Sequence, residues 1–143
     1  MKKINCGING FGRFGLHLLK YWLGRAEKSS FIIKAINDNY LKPEDIVSII
    51  NNDYAVIFNS YKIILERSTI KIISPNGENY YIKITNEKDS QIPWIGDYDL
   101  FFECSGLNTS RKSCAKFLHG KTKLILISAF KRLVVNLFVL HNN

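Results

Sequence analysis

Lys3-Ile4-Asn5-Cys6-Gly7-Ile8-Asn9-Gly10-Phe11-Gly12-Arg13-Phe14-Gly15 decides the fold. A short run ending at Ile8 stops in a glycine turn, and from Gly15 to Leu23 the residues Leu16, Leu19 and Leu23 recur at helical spacing. That pattern predicts strand, tight turn, helix. Gly24 is a helix stop, and Phe31-Ile32-Ile33-Lys34-Ala35-Ile36 is a β-branched run of strand length that ends in the turn-like Asn37-Asp38-Asn39. Two parallel strands cannot be joined by a tight turn, so the intervening helix is what lets them lie side by side as a βαβ unit.

Gly10-Phe11-Gly12-Arg13-Phe14-Gly15 has the spacing GxGxxG. Alone that is a weak signal; after a strand, at the start of a helix, and followed about 20 residues on by an acid closing the second strand, it reads as a dinucleotide site. Gly10 permits the turn, Gly12 lets a pyrophosphate approach the backbone, and Gly15 lets the helix pack closely on the sheet. Free amides and the positive end of the helix dipole would then face the phosphates. Asp38 can accept hydrogen bonds from an adenosine ribose, and its charge would repel a 2′-phosphate, which favours NAD over NADP. The competing reading is that the glycines make an ordinary turn and Asp38 caps a loop.

Outward from this unit, Pro43 followed by Glu44 and Asp45 predicts a short helix to about Ile50. The pattern changes from Tyr54. Ile63 to Leu65, Ile70 to Ile73 and Tyr80 to Ile84 are strand-like, and Pro75-Asn76-Gly77 is a hairpin signal. Tyr98 to Cys104 predicts another strand, Thr109 to Leu118 a helix and Lys123 to Ser128 a last strand. The expected fold class is α/β: a Rossmann-type, mostly parallel sheet with an antiparallel hairpin insertion, incomplete at the C-terminus.

The quoted blocks resemble the N-terminal half of phosphorylating glyceraldehyde-3-phosphate dehydrogenases. They are also similar to the related erythrose-4-phosphate dehydrogenases. Gly7 to Gly15 with Ala35-Ile36-Asn37-Asp38 is the specific part. Asn86-Glu87-Lys88-Asp89, Ile92-Pro93-Trp94, Glu103-Cys104-Ser105-Gly106 and Ile127-Ser128-Ala129 extend the likeness to about residue 129. The last block, with Asp at position 38, tilts the reading toward the glyceraldehyde-3-phosphate enzymes. The resemblance implies an NAD-binding domain over residues 1–129 with a cofactor set of Asn9, Gly10, Gly12, Arg13, Phe14, Gly15, Asp38, Lys88, Ser105, Gly106 and Ser128. Backbone groups of Arg13 and Phe14 would lie under the pyrophosphate and Asp38 would hold the adenosine ribose. Lys88 would stand near adenine, Ser105 and Gly106 at the border of the cleft, and Ser128 by the nicotinamide ribose. Complete relatives oxidise an aldehyde to an acyl phosphate with NAD, in glycolysis and gluconeogenesis, as homo-oligomers.

That chemistry needs a cysteine thiolate and an activating histidine. The family's Ser-Cys-Thr-Thr-Asn motif is absent, and Cys6, Cys104 and Cys114 stand in other contexts, so no catalytic residue is expected here. From Phe130 to Asn143 the chain leaves the family pattern; the expectation is a non-family tail from a shifted reading frame with early termination, marginal stability and weak NAD affinity. Alternatives from other classes are a non-catalytic module binding nucleotide or polyanion, and a pseudogene remnant.

Composition agrees with a globular domain. The chain has 143 residues, 46% of them hydrophobic and 22% charged, which excludes disorder. Three unclustered cysteines indicate neither a disulfide framework nor a metal site, and fit a reduced cytoplasm. No export signal or membrane helix is expected; the apolar stretch Leu124 to Leu140 is broken by Lys131, Arg132 and Asn136. The net charge of +8 includes a cluster of Lys112, Lys116, Lys121 and Lys123, read as a solvated face rather than a nucleic-acid surface. His17, His119 and His141 are scattered and read as surface or packing residues.

Overall fold

The computed structural model describes residues 2–53 and 60–128 with their side chains, and 129–131 and 134–141 as backbone. One eight-stranded sheet carries the fold, with strands in the order β3-β4-β5-β2-β1-β6-β7-β8. These are β1 Ile4–Asn9, β2 Phe31–Asn37, β3 Lys62–Glu66, β4 Thr69–Ile73, β5 Asn79–Thr85, β6 Leu100–Glu103, β7 Leu124–Lys131 and β8 Val134–His141. The helices are α1 Arg13–Leu23, α2 Pro43–Asn52 and the one-turn α3 Arg111–Cys114.

The five central strands β5, β2, β1, β6 and β7 are parallel, as a βαβ reading requires. β1 lies in the middle, where the strand order reverses from β2 on one side to β6 on the other. In open α/β sheets such a reversal opens a crevice beyond the carboxyl ends of the strands. The expected hairpin is present: β3, β4 and β5 form an antiparallel meander, with Gly77 at φ +90° in the Pro75-Asn76-Gly77 turn. Its third strand is also the fifth parallel strand, so the hairpin extends the sheet rather than standing outside it. Residues 54–59, where the antiparallel region was expected to open, lie outside the described residues.

Two apolar layers cover the sheet. Leu16, Leu19, Trp22 and Leu23 of α1 and Ile46 and Ile50 of α2 pack with Ile8, Ile36 and Ile84 on one face. On the other, Trp94, Phe101, Cys114, Phe117, Ile125 and Ile127 form a second core, with the Phe101 and Phe117 rings stacked at 4.2 Å. Gly7 belongs to this side, because a Cβ there would stand 2.4 Å from the Trp94 ring. It makes room for the tryptophan.

The helix expected over Thr109 to Leu118 is a correction. Ser110 caps a single α-turn, its side chain accepting from the Ser113 amide at 3.1 Å, and Ala115–Phe117 continues as a 3-10 turn. The tighter turn accompanies Phe117 seated against Phe101, and the chain then reverses through Gly120 at φ +54°. Packing overrides local helix propensity here. The strand expected from Tyr98 starts instead at Leu100, because Asp99 takes the amides of Asn5 and Lys123 on its carboxylate and carbonyl.

β8 pairs antiparallel with β7 along its whole length, from Leu124 with His141 to Lys131 with Val134. β6 ends at Glu103, level with Ile127, so β7 runs on past it from Ser128 to Lys131. Among the described residues no helix is long and apolar enough to cross a membrane.

Candidate functional site

Each glycine of the turn between β1 and α1 has its own reason. Gly10 adopts φ +97°, donates its amide to the Asn37 carbonyl at 2.7 Å, and packs so closely that a Cβ would stand 2.4 Å from Ser105 Cα. Gly15 lies against the carbonyl oxygen of Gly10, 2.3 Å from where its Cβ would be. Gly12 is different: among the described residues a Cβ there would meet nothing within 4 Å. The space over Gly12 is open among those residues, so their packing does not explain a glycine there.

α1 begins without a side-chain cap and without an acidic residue in its first turn. Among the described residues no acceptor meets the amides of Gly12, Arg13, Phe14 or Gly15; the first bonded amide is that of Leu16, which donates to Gly12 O at 3.0 Å. A helix start with bare amides and an uncompensated positive dipole is a ready anion seat. Phe11 is buried and pins the turn, whereas Gly12, Arg13 and Phe14 are exposed. The Arg13 side chain turns away toward Asp53 at 3.5 Å, so its backbone is what faces the opening.

Asp38 closes β2 beside this turn. Its Oδ2 accepts from the Phe11 amide at 2.8 Å, and its Oδ1 accepts from the Tyr40 and Leu41 amides at 2.8 and 3.1 Å. The carboxylate therefore does cap its loop, and it also ties that loop to the glycine turn. A carboxylate offers about four acceptor positions, so Oδ2 keeps one for a ligand hydroxyl. Asn86 donates to the Asp38 carbonyl at 2.7 Å and lays the segment carrying exposed Lys88 alongside.

The other expected site residues divide into two groups. Ser105 borders the glycine turn directly, and Gly106, the next residue, is exposed at φ +77°. Ser128 is half-buried on β7, one residue past the level of Glu103 and paired with Leu137. Asn9 is only 2% exposed and lies under the turn. Its Nδ2 donates to Asp89 Oδ1 at 3.2 Å and Glu103 Oε2 at 3.0 Å, and its Oδ1 accepts from Asn37 at 2.9 Å.

Asn9 belongs to a buried polar cluster at the carboxyl ends of β1, β2, β5 and β6. Asn37 Oδ1 accepts from Thr85 Oγ1 at 2.7 Å and the Glu87 amide at 3.0 Å; Trp94 donates to Thr85 Oγ1 at 3.1 Å. Glu103, fully buried, takes Asn9 and Asn108 on Oε2 and both the amide and hydroxyl of Ser105 on Oε1. Burial pushes the Glu103 carboxyl up, and although bonds from Ser105 and Asn9 pull it back, it stays above its ordinary 4.5. Burial also raises Asp89, but bonds from Asn108 and Asn9 and the Lys116 ammonium 3.5 Å away outweigh that and leave it below its ordinary 3.8. Glu103 and Asp89 stand in the sequence reading only as parts of family blocks, Asn37 also in a turn, and Asn108 has no part in it. A usable signal was there: three apolar strands each end in a side chain able to make several hydrogen bonds, and buried polar groups must be paired.

Burial raises all three thiols, Cys6 to about 12 and Cys114 to about 11, with Cys104 raised further and pushed also by Glu103. None has the electropositive, open surroundings that make a thiolate. Lys112, Lys121 and Lys123 are exposed, while Lys116 pairs with Asp89. Among the described residues no group of three or more His, Cys, Asp or Glu could hold a metal ion. A cavity of about 720 Å³ under Trp22, Tyr61 and Tyr80 lies at the other end of the sheet; a groove of about 500 Å³ lined by Gly12, Arg13, Ser48 and Asn52 adjoins the turn.

A family model described as glyceraldehyde 3-phosphate dehydrogenase, NAD binding domain, matches residues 4–111. The chain is similar to glyceraldehyde-3-phosphate dehydrogenase 2 of Trichormus variabilis, 32% identical over 137 residues that cover 88% of this chain and 36% of that protein. It is 28% identical to glyceraldehyde-3-phosphate dehydrogenase A, chloroplastic, of Zea mays, covering 89% of this chain and 31% of the relative. With glyceraldehyde-3-phosphate dehydrogenase 1 of Caenorhabditis elegans the identity is 29%, over 90% of this chain and 38% of the relative. The chain thus spans about a third of the length of the curated relatives it matches.

Proposed function

The chain belongs to the glyceraldehyde 3-phosphate dehydrogenase family through its NAD-binding domain, and on that premise we propose how its residues hold the dinucleotide and what it does with it. The pyrophosphate sits over Gly12 on the amides of Gly12 to Gly15, and Asp38 Oδ2 accepts from the adenosine ribose. Lys88 lies on the adenine side, and Ser105, Gly106 and Ser128 border the nicotinamide half. The observation that carries this is the empty space above Gly12 beside four amides with no protein acceptor among the described residues.

Bound NAD supplies a hydride acceptor, and the substrate we propose is glyceraldehyde 3-phosphate, oxidised to an acyl phosphate in the cytoplasm; erythrose 4-phosphate is the related alternative. These 143 residues position the cofactor and do not complete that oxidation by themselves. The support is chemical: Cys6 and Cys114 are buried, Cys104 is half-buried, and desolvation raises the pKa of all three, so none is poised to attack an aldehyde. Calorimetric titration with NAD and NADP, with Asp38→Ala beside the wild type, tests the binding reading. Saturable NAD binding that weakens in the variant is expected, and equal affinity for NADP would overturn the role given to Asp38. NADH formation from glyceraldehyde 3-phosphate and phosphate by this chain alone would overturn the second part.

A further inference from the structure

Asn9, Asp89, Glu103 and Asn108 close a ring. Asn9 Nδ2 bridges Asp89 Oδ1 at 3.2 Å and Glu103 Oε2 at 3.0 Å; Asn108 Nδ2 bridges that same Glu103 oxygen at 3.1 Å and Asp89 Oδ2 at 2.6 Å. Each amide nitrogen spends both hydrogens between two carboxylates. Asn9, Glu103 and Asn108 are 2%, 0% and 4% exposed. The members come from four places around the crevice: the end of β1, the loop between β5 and β6, the end of β6, and the loop after it.

We propose that this ring is a positioning device for the dinucleotide site, fixing the loops that hold the cofactor without touching it. The proposal rests on the reading of the glycine turn given above. The route runs contact by contact. Glu103 Oε1 holds the Ser105 amide and hydroxyl, the Ser105 backbone fills the place where a Cβ on Gly10 would stand, and Gly10 leads directly to the open amides from Gly12 onward. Asn9 works through the ring, its oxygen taken by Asn37 and its hydrogens by the two carboxylates. A supporting shell of this kind holds a site to the sub-ångström tolerance that tight binding needs.

The test uses the full chain as wild type, Asp89→Asn and Asn108→Ala, with NAD calorimetry and amide NMR spectra of the ligand-free protein. Asparagine at position 89 keeps the volume but turns donors against donors, and Asp89 is partly exposed, so this variant carries the test if Asn108→Ala does not fold. A loosened turn should raise the Kd for NAD about tenfold in each. The double variant should bind no worse than the weaker single one, because either change opens the same ring. In the ligand-free spectra the amides of Gly10 to Gly15, Ser105 and Gly106 should shift, while those of β3 and β4 stay in place. Wild-type affinity in the folded variants, or shifts confined to the neighbours of the substituted residue, would overturn the ring. Wild type that binds no NAD while the turn amides still respond would instead sink the cofactor reading and leave the ring standing.

Discussion

Gly12→Ala separates the demands of the fold from those of the ligand. At Gly12 the backbone is extended, with φ −80° and ψ −155°, a conformation open to alanine, and among the described residues a methyl would meet nothing within 4 Å. Two small effects on stability oppose each other. Alanine is the poorer helix N-cap by about 0.5–1 kcal/mol, while restricting the unfolded chain returns about 0.4–1 kcal/mol. The net should fall within about 0.5 kcal/mol, or roughly 2 °C in melting temperature for a chain of this size. The NAD site should respond quite differently. A methyl in the opening holds the pyrophosphate off the α1 amides, and each charge-assisted hydrogen bond lost is worth about 1.5–3 kcal/mol, a tenfold to hundredfold rise in Kd. Thermal denaturation with NAD calorimetry reads both. Wild-type NAD affinity in Gly12→Ala would refute the pyrophosphate assignment, and a melting point lowered by more than about 4 °C would show that the space is not open. Gly10→Ala and Gly15→Ala are the contrast. Their methyls would collide with the Ser105 backbone and the Gly10 carbonyl, so both should lose about 2 kcal/mol or more of stability before any ligand is added.

Asp89, whose folded pKa is depressed, contributes stability that is present above its ordinary 3.8 and is lost as the pH falls through the folded value. Glu103, whose folded pKa is raised, acts the other way and loses its contribution as the pH rises from its ordinary 4.5 through the folded value. Urea unfolding between about pH 3 and pH 6 should therefore show a shallower acid-side loss in Asp89→Asn than in wild type; equal slopes would contradict the hydrogen-bonding account. The three thiols, Cys6 and Cys114 buried and Cys104 half-buried, all with raised pKa, should resist a disulfide reagent at neutral pH in the native chain and all react after unfolding, and one fast-reacting native thiol would overturn their assignment as packing residues. β8 ends the sheet with no charged residue from Val134 to Leu140, the composition of an edge that pairs with other chains. Leu137→Lys should reduce concentration-dependent association in sedimentation, and unchanged association would exclude β8 as its cause.

The parts of the fold legible in the chain are those set by near neighbours. Leu16, Leu19 and Leu23 share one helix face because 3.6 residues make a turn, and Pro43 starts α2 because its missing amide costs nothing there. Pro75-Asn76-Gly77 marks the hairpin because Gly77 accepts a positive φ that a side chain would resist. The span from Thr109 to Leu118 departs from the single helix expected of it for the opposite reason. Its local propensity is helical, but Phe117 is placed by its stacking on Phe101, and no spacing within the segment announces that partner.

The candidate site divides along the same line. Repeated glycines followed by an acid at the end of the next strand are enough, from the amino-acid order alone, to announce a turn that leaves amides bare and a carboxylate beside it. That Gly12 stands open while Gly10 and Gly15 are hemmed in by backbone, and that Asp38 also grips the Phe11 amide, follow from three-dimensional packing. So does the ring beneath them, whose Asn9 bonds span 80 and 94 residues of chain. A hydrogen bond depends on distance in space, and side chains that far apart in sequence have no fixed separation until the sheet brings the ends of β1 and β6 together.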